Sequence, residues 1–517
     1  MLKEGFLRRI DQVIREENQI TPDQLGGQFL QANMKEIQQL WQSFVAINKN
    51  SPEVMKGIQL YIHFPFCYRT KCKYCMYASG PVASCYDEPL LEYLQSLRET
   101  LEHMAPILEG FPLRSFYLGG GTPSLMSEGQ MDGLLERVFS LFCFQDNAEK
   151  TVENSAETCT REKIDLYRHH GINRVSFGVQ SLDHEILRRN NRTAVPFETI
   201  RSHVEHARSR GIPYVNIDLM AGIEGVTEES LASDFRRIAH TPVTSITVYL
   251  FRHIRKHMGG IAGDRIVYLK DFHDRASKQV EGLFAVAGST HLKYFQKTIV
   301  QDNHFNSFAR DPLQRYETTY LHNVSTLGIG PGALSCMRCE ARYRQDVSRF
   351  SDWFREDIPL FYLRKFSPAE QMGNFIANLL YYSSAVRVDQ FNSIFRADFR
   401  TIYRDVISLL EKKGWGEFNG EHDFVLTREG RTRKSLVQYL FYDLDTLKTS
   451  FRTKRQVKWA TFSGTFRRAL KITVKTLRKL NQRARKAWVW TILFLCKLEF
   501  LCYDLADEGG ATCLHLS

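Results

Sequence analysis

The chain has 517 residues, more than one ordinary compact core accommodates, so two or three domains are expected. Apolar residues make up 43% and charged residues 25%, which excludes a disordered or fibrous chain. The net charge of +11 is local: thirteen Lys or Arg and no acid lie between Phe451 and Lys486, so no nucleic-acid partner is expected for the main body.

Residues 1–55 read as a helical extension, with apolar positions at Phe6, Ile10, Val13 and Ile14, then at Leu40, Trp41, Phe44 and Val45. Met1–Gln19 is rich in charge and has no apolar leader, so the chain is read as cytoplasmic. Six strand-like runs follow: Gln59–Phe64, Ser115–Leu118, Thr151–Glu157, Arg174–Val179, Tyr214–Met220 and Ser245–Leu250. Helical patterns such as Leu90–Leu108, Gln130–Phe142 and Glu198–Ser209 separate them. This alternation predicts an α/β fold, a parallel sheet of βα repeats over residues 56–335, curled or open. In such sheets functional residues gather where strands end. Residues 336–367 read as a linker, and 368–445 as a helical, winged-helix-like module that packs or covers rather than reads DNA. The basic tail, residues 446–517, ends in Ala487–Tyr503, too short and too charged for a membrane span. Ordinary packing of that helix is favoured over contact with an anionic membrane surface.

Eleven cysteines are too dilute for a disulfide scaffold, yet Cys67, Cys72 and Cys75 fall within nine residues. Structural zinc takes four ligands, usually as two separated pairs, and no second pair stands nearby. A cubane cluster bound by three thiolates leaves one iron open to chelate a small molecule. Arg69, Lys71 and Lys73 suit a negatively charged cluster on this loop.

Tyr61-Ile-His-Phe-Pro-Phe-Cys67 and the two cysteines after it resemble the radical S-adenosylmethionine (SAM) signature. The surrounding residues 58–445 resemble its oxygen-independent coproporphyrinogen III oxidase branch. Gly119-Gly120-Gly121-Thr122-Pro123 resembles the turn that takes the methionine part of SAM, and Glu157 the acid that holds the ribose. Gln180 and Arg192 resemble residues at the SAM carboxylate or at a second SAM, and Asp218 one beside that second site. Ala221 stands in the same run as Asp218, and Ile329, within Gly328–Gly332, in the turn that closes over adenine. The resemblance implies a partial (β/α)6 barrel, a 4Fe–4S cluster on Cys67, Cys72 and Cys75, and one or two SAM molecules. It also implies a small-molecule substrate and an electron donor such as flavodoxin or ferredoxin. Tyr61, Gln180, Arg192 and Asp218 are then expected at the reacting centre.

Three departures bear on the reaction. The first cysteine gap holds four residues where the branch has three, and Tyr77 stands where the porphyrinogen oxidases carry a fourth cysteine. His322-Asn323 is only part of the haem-binding run of the haem-chaperone relatives. These departures favour methyl transfer or cyclopropane formation on an unsaturated or aromatic molecule, using a second SAM. Oxidative decarboxylation of a porphyrinogen and haem carriage without turnover are the alternatives. Cys336 and Cys339 form a C-x2-C pair read as incidental, and His63, Tyr249, Phe251, Tyr316 and Glu317 are weaker candidates near the site.

Overall fold

The computed structural model describes residues 30–48, 57–75, 77–250, 296–301, 305–309, 325–337, 340–345, 361–420 and 422–442. Phe251, Tyr316, Glu317, His322, Asn323, Cys339 and the basic tail lie outside the described residues.

The first strands are β1 (Leu30–Ala32), β2 (Ile58–Phe64), β3 (Phe66–Tyr68), β4 (Gly80–Val82) and β5 (Leu113–Gly120). Then come β6 (Phe144–Asn154), β7 (Arg174–Gln180), β8 (Tyr214–Ala221) and β9 (Ser245–Leu250). β10 (Gln296–Gln301), β11 (Phe305–Ala309), β12 (Thr326–Ile329), β13 (Leu334–Met337), β14 (Ala341–Gln345) and β15 (Phe361–Lys365) complete the main sheet. Its order is β1-β15-β14-β13-β12-β2-β5-β6-β7-β8-β9-β11-β10. From β12 to β9 every neighbouring pair is parallel, and both flanks continue antiparallel. The six expected strands are all present, and β12 joins them as a seventh parallel strand beside β2.

Side chains alternate across these strands. Leu60, Ile62, Phe64, Phe116, Leu118, Val152, Val175, Phe177, Ile217 and Leu219 are fully buried on the outer face. The helices that cover the sheet are α1 (Met34–Asn48), α2 (Glu88–Met104), α3 (Glu128–Leu141), α4 (Arg161–His169), α5 (His184–Arg189), α6 (Phe197–Ser209) and α7 (Glu228–Ala239). Their starts are local: Ser127 with Gln130, and Thr227 with Ser230, form capping boxes, and the Thr160 side chain caps α4. The opposite strand face carries Gln59, Tyr61, Ser115, Tyr117, Glu149, Thr151, Glu153, Arg174, Ser176, Asn216, Asp218, Ser245 and Thr247. A parallel sheet with two covered faces is ordinarily apolar on both. Here the second face carries polar side chains, several of them buried and hydrogen-bonded to one another.

Two sequence expectations need correction. The stretch 336–367 is not a plain linker: it contributes β14, β15 and part of β13 to the main sheet. Its strands are only four or five residues long, too short for an alternating pattern to stand out in the sequence. The N-terminal extension is helical over α1, but β1 also adds itself to β15. Trp41 on α1 donates from Nε1 to the Tyr343 hydroxyl at 2.8 Å and so fixes this flank.

The last described part holds α8 (Pro368–Ser383), α9 (Val388–Phe395), α10 (Phe399–Ile402), α11 (Arg404–Lys412), α12 (Arg428–Thr432) and α13 (Lys434–Leu440). β16 (Ala385–Arg387), β17 (Gly416–Asn419) and β18 (Asp423–Leu426) form a small antiparallel sheet beside them. Phe375, Phe391, Phe399 and Phe424 are its aromatic core. Among the described residues, no helix is long and apolar enough to cross a membrane.

Candidate active site

The cysteine loop leaves the C-terminal end of β2 and is braced at its base by the parallel pair β3–β4, with Phe66 opposite Gly80. Backbone bonds from Gly80 to Pro65 (2.9 Å) and from Arg69 to Val82 (2.8 Å) close that base. A turn brings the Cys75 amide to the Cys72 carbonyl at 3.1 Å. The segment after α5 holds the loop from the side. Asn191 Nδ2 donates to the Lys71 carbonyl at 2.8 Å, and the Lys73 amide donates to Asn190 O at 3.1 Å. Arg192 reaches further in, donating from Nη2 to the Gly178 carbonyl and from Nη1 to Cys72 Sγ at 3.6 Å. Burial pushes the Cys67 and Cys75 thiols up from their usual range. The neighbouring thiols raise both further, while Lys71 opposes the shift. The Lys71 ammonium donates to the Tyr77 and Ser79 carbonyls at 2.7 and 3.1 Å, which ties it to the return of the loop.

The glycine turn at the end of β5 is laced to the residues that precede Cys67. The Gly121 amide donates to Phe64 O at 2.6 Å and the Thr122 amide to Phe66 O at 2.7 Å. A Cβ on Gly121 would lie 2.2 Å from the Phe66 carbonyl oxygen, and one on Gly120, at φ +111°, would meet the His63 ring at 2.7 Å. No other residue fits this approach. His63 Nε2 faces the Ala78 carbonyl at 2.9 Å; that oxygen only accepts, so Nε2 carries the proton. Nδ1 therefore accepts from the Tyr61 hydroxyl at 2.8 Å, and burial keeps the imidazole neutral by lowering its pKa. His63 thus joins Tyr61 to the return of the cysteine loop.

On the polar face of the sheet the Asp218 charge acts on the Glu153 carboxyl. Glu153 accepts from the Tyr117 hydroxyl and from the Gly120 amide at 3.0 Å. Burial, with the Asp218 charge adding to it, pushes its pKa up to about 7. Asp218 accepts from Asn216 Nδ2 at 2.7 Å and from Ser176 Oγ at 3.2 Å, and burial raises its pKa to about 6. The Asn216 amide is oriented by Ser245 and Thr247, whose hydroxyls donate to its Oδ1 at 2.6 and 3.0 Å. Arg174 and Glu149 lie on the same face, 3.9 Å apart and both buried.

Most of the expected site residues meet at these strand ends. Gln180 ends β7 in a left-handed conformation, φ +73°, with its buried Oε1 accepting no hydrogen bond. Glu157 lies beyond the end of β6, half-buried. Ala221 and Ile329 belong to the buried apolar core, so only their backbone groups are placed to serve a ligand. Sequence reasoning missed Glu153, Tyr117 and Asn216 as site residues. The signal was there as alternation, Asn216-Ile-Asp218-Leu-Met220 placing every second residue on one face.

Among the described residues, no three His, Cys, Asp or Glu side chains converge on a single metal ion. A cubane asks for something else. Each of its thiolate ligands binds a different iron, so they stand farther apart than the ligands of one ion. Three neighbouring thiols beside Lys71 and Arg192 match the ligand number and the negative charge of such a cluster.

Residues 61–238 match the radical SAM superfamily. The oxygen-independent coproporphyrinogen III oxidase of Escherichia coli (strain K12) is 30% identical over 213 residues, which cover 41% of this chain and 45% of that protein. The heme chaperone HemW of Haemophilus influenzae is 34% identical over 196 residues, covering 37% of this chain and 50% of that one. The chain spans about half the length of these curated relatives. The solved structure of the Escherichia coli coproporphyrinogen III oxidase, a radical SAM enzyme, superposes with a TM-score of 0.62 at 20% identity. It covers 78% of this chain and 93% of that one, which shows a shared fold. Residues 61–238 of this chain thus match the model of a radical SAM domain, a kind of domain that binds a 4Fe–4S cluster and SAM.

Proposed function

We propose that the chain reductively cleaves SAM and uses the resulting radical to oxidise a carboxylated tetrapyrrole, in the manner named for its coproporphyrinogen oxidase relatives. The observation that supports this most is that the glycine turn at the end of β5 is hydrogen-bonded to the residues leading into Cys67, while Arg192 reaches Cys72 from the other side. Cys67, Cys72 and Cys75 hold the cluster, and Gly119–Gly121 with Thr122 offer backbone to the methionine part of SAM. Glu157 is assigned to the ribose, Arg192 and Gln180 to carboxylate or amide contacts, and Asp218 to a second ligand beside the first. When bound, the cluster supplies one electron to the sulfonium, and SAM supplies the 5′-deoxyadenosyl radical. Tyr61, anchored by neutral His63, borders the space where a substrate C–H bond must stand. Hydrogen abstraction from a propionate side chain gives 5′-deoxyadenosine. Loss of carbon dioxide from the substrate radical, with one electron passing to an external one-electron acceptor such as an oxidised ferredoxin or flavodoxin, would leave a vinyl group.

The relatives favour this reading over the methyl transfer expected from the departures in sequence. The test is anaerobic reconstitution with SAM, dithionite and coproporphyrinogen III. The expected result is 5′-deoxyadenosine together with carbon dioxide, and neither product from Cys72→Ala. S-adenosylhomocysteine without carbon dioxide would replace this reading with methyl transfer. Tight haem binding with no SAM cleavage would replace it with haem carriage.

A further inference from the structure

Two hydroxyls of the cysteine loop are buried without a partner. Among the described residues, Tyr74 Oη and Ser79 Oγ are closed off from solvent and make no hydrogen bond. Buried hydroxyls are nearly always paired, because an unpaired one costs stability. Two such groups on one loop therefore point to an acceptor that belongs between them.

Each stands beside a different cysteine. Cys72 and the Arg192 guanidinium are the charged neighbours of the Tyr74 phenol, and the Ser79 and Thr122 hydroxyls face Cys67. Arg192 Nη1 approaches Cys72 Sγ at 3.6 Å, and the Tyr77 amide stands beside the Cys75 sulfur. Every sulfur of the loop thus has an N–H or O–H next to it. The two hydroxyls are also held in place. Lys71 Nζ donates to the Ser79 carbonyl at 3.1 Å, and His63 Nε2 to that of Ala78 at 2.9 Å. The Tyr74 ring packs on the core, and the Lys73 amide before it donates to Asn190 O at 3.1 Å. A neutral thiol is a weak acceptor, whereas an iron-bound thiolate carries the negative charge that an O–H group seeks.

We propose that Tyr74 and Ser79 donate hydrogen bonds to the Cys72 and Cys67 thiolates of the loaded cluster and raise its reduction potential. A hydrogen bond to a cluster ligand withdraws negative charge and so favours the reduced, more negative form. The two hydroxyls make the cluster easier to charge by a weak electron donor and leave it less driving force toward the sulfonium. Cys72, with a phenol and a guanidinium beside it, feels the larger effect. The inference goes beyond the proposed function and needs only the cluster, not the tetrapyrrole.

The test is a redox titration of the reconstituted full chain with dithionite and mediator dyes, without SAM or substrate. Electron paramagnetic resonance of the reduced cluster gives the readout. Tyr74→Phe and Ser79→Ala should each shift the one-electron equilibrium about tenfold toward the oxidised form, or about 59 mV to lower potential. Ser79→Thr keeps a hydroxyl and should stay within about twofold of the native equilibrium. Unchanged potentials in Tyr74→Phe and Ser79→Ala, at native iron content, overturn the proposal, show that buried water serves the hydroxyls, and leave the proposed function standing. If Tyr74→Phe takes up no cluster, the comparison of Ser79→Ala with Ser79→Thr decides alone. If Ser79→Ala takes up none either, a Ser79→Thr chain that loads with native potential supports the donor role, and one that stays empty overturns it. A shifted potential in a chain that releases no carbon dioxide from coproporphyrinogen III keeps this inference and removes the tetrapyrrole reading. A native chain that takes up no cluster overturns both.

Discussion

Gly121 and Gly133 are the same residue type under opposite constraints. Alanine at Gly121 would drive its methyl group into the Phe66 carbonyl, a backbone atom that cannot step aside without moving Cys67. We expect Gly121→Ala to lose most of its capacity for cluster loading, read from absorbance after reconstitution, while far-ultraviolet circular dichroism stays native. In Gly133, inside α3, an added methyl meets nothing within 4 Å. Gly133→Ala should stabilise the chain by about 0.5–1 kcal/mol in urea unfolding, because alanine favours the helix. Glu153 and Asp218 set a pH dependence at the same scale. Both hold their protons more tightly folded than unfolded, with pKa values near 7 and 6 against ordinary values of 4.5 and 3.8. The folded state therefore binds more protons between about pH 4 and 7, and stability falls as pH rises through that window. Glu153→Gln should flatten this fall in thermal melts of the cofactor-free protein between pH 5 and 8. A melting temperature that rises with pH in both proteins would refute the assignment.

Strands show how much of the molecule was legible from its residues and where reading stopped. β2 and β5–β9 announce themselves through runs of β-branched and aromatic residues, and the glycine turn and Gln180 mark two of their ends. β13–β15 do not, since they are only four or five residues long and β14 holds two arginines among its five residues. Cys67, Cys72 and Cys75 could be read from spacing. Glu153 could not, because its role depends on Tyr117 and Gly120 arriving from another strand. Asn216 shows the same dependence, its amide joining Ser176 and Asp218 to Ser245 and Thr247 across three strands. Asn216→Ala removes one hub and leaves several buried polar groups without a partner, each worth about 1–3 kcal/mol. The expected cost is about 3 kcal/mol in denaturant unfolding, and a change below 0.5 kcal/mol would show that water replaces the amide.

At the scale of the whole molecule, the parallel pairing of β12 with β2 joins parts of the chain that are remote in sequence. Gln59 and Thr326 are 267 residues apart, and Gly330 approaches the His63 carbonyl so closely that a Cβ there would lie 2.4 Å from its oxygen. The turn assigned to adenine and the strand leading to the cysteines are thus in mechanical contact. On a ribosome adding 5–20 residues per second, Thr326 emerges on the order of 10 to 50 s after Gln59. Throughout that interval β2 has an open edge, and the three thiols stand on a loop whose neighbours have yet to be made. Synthesis itself thus leaves a time window in which the thiols meet iron donors or oxidants before the wall beside them exists.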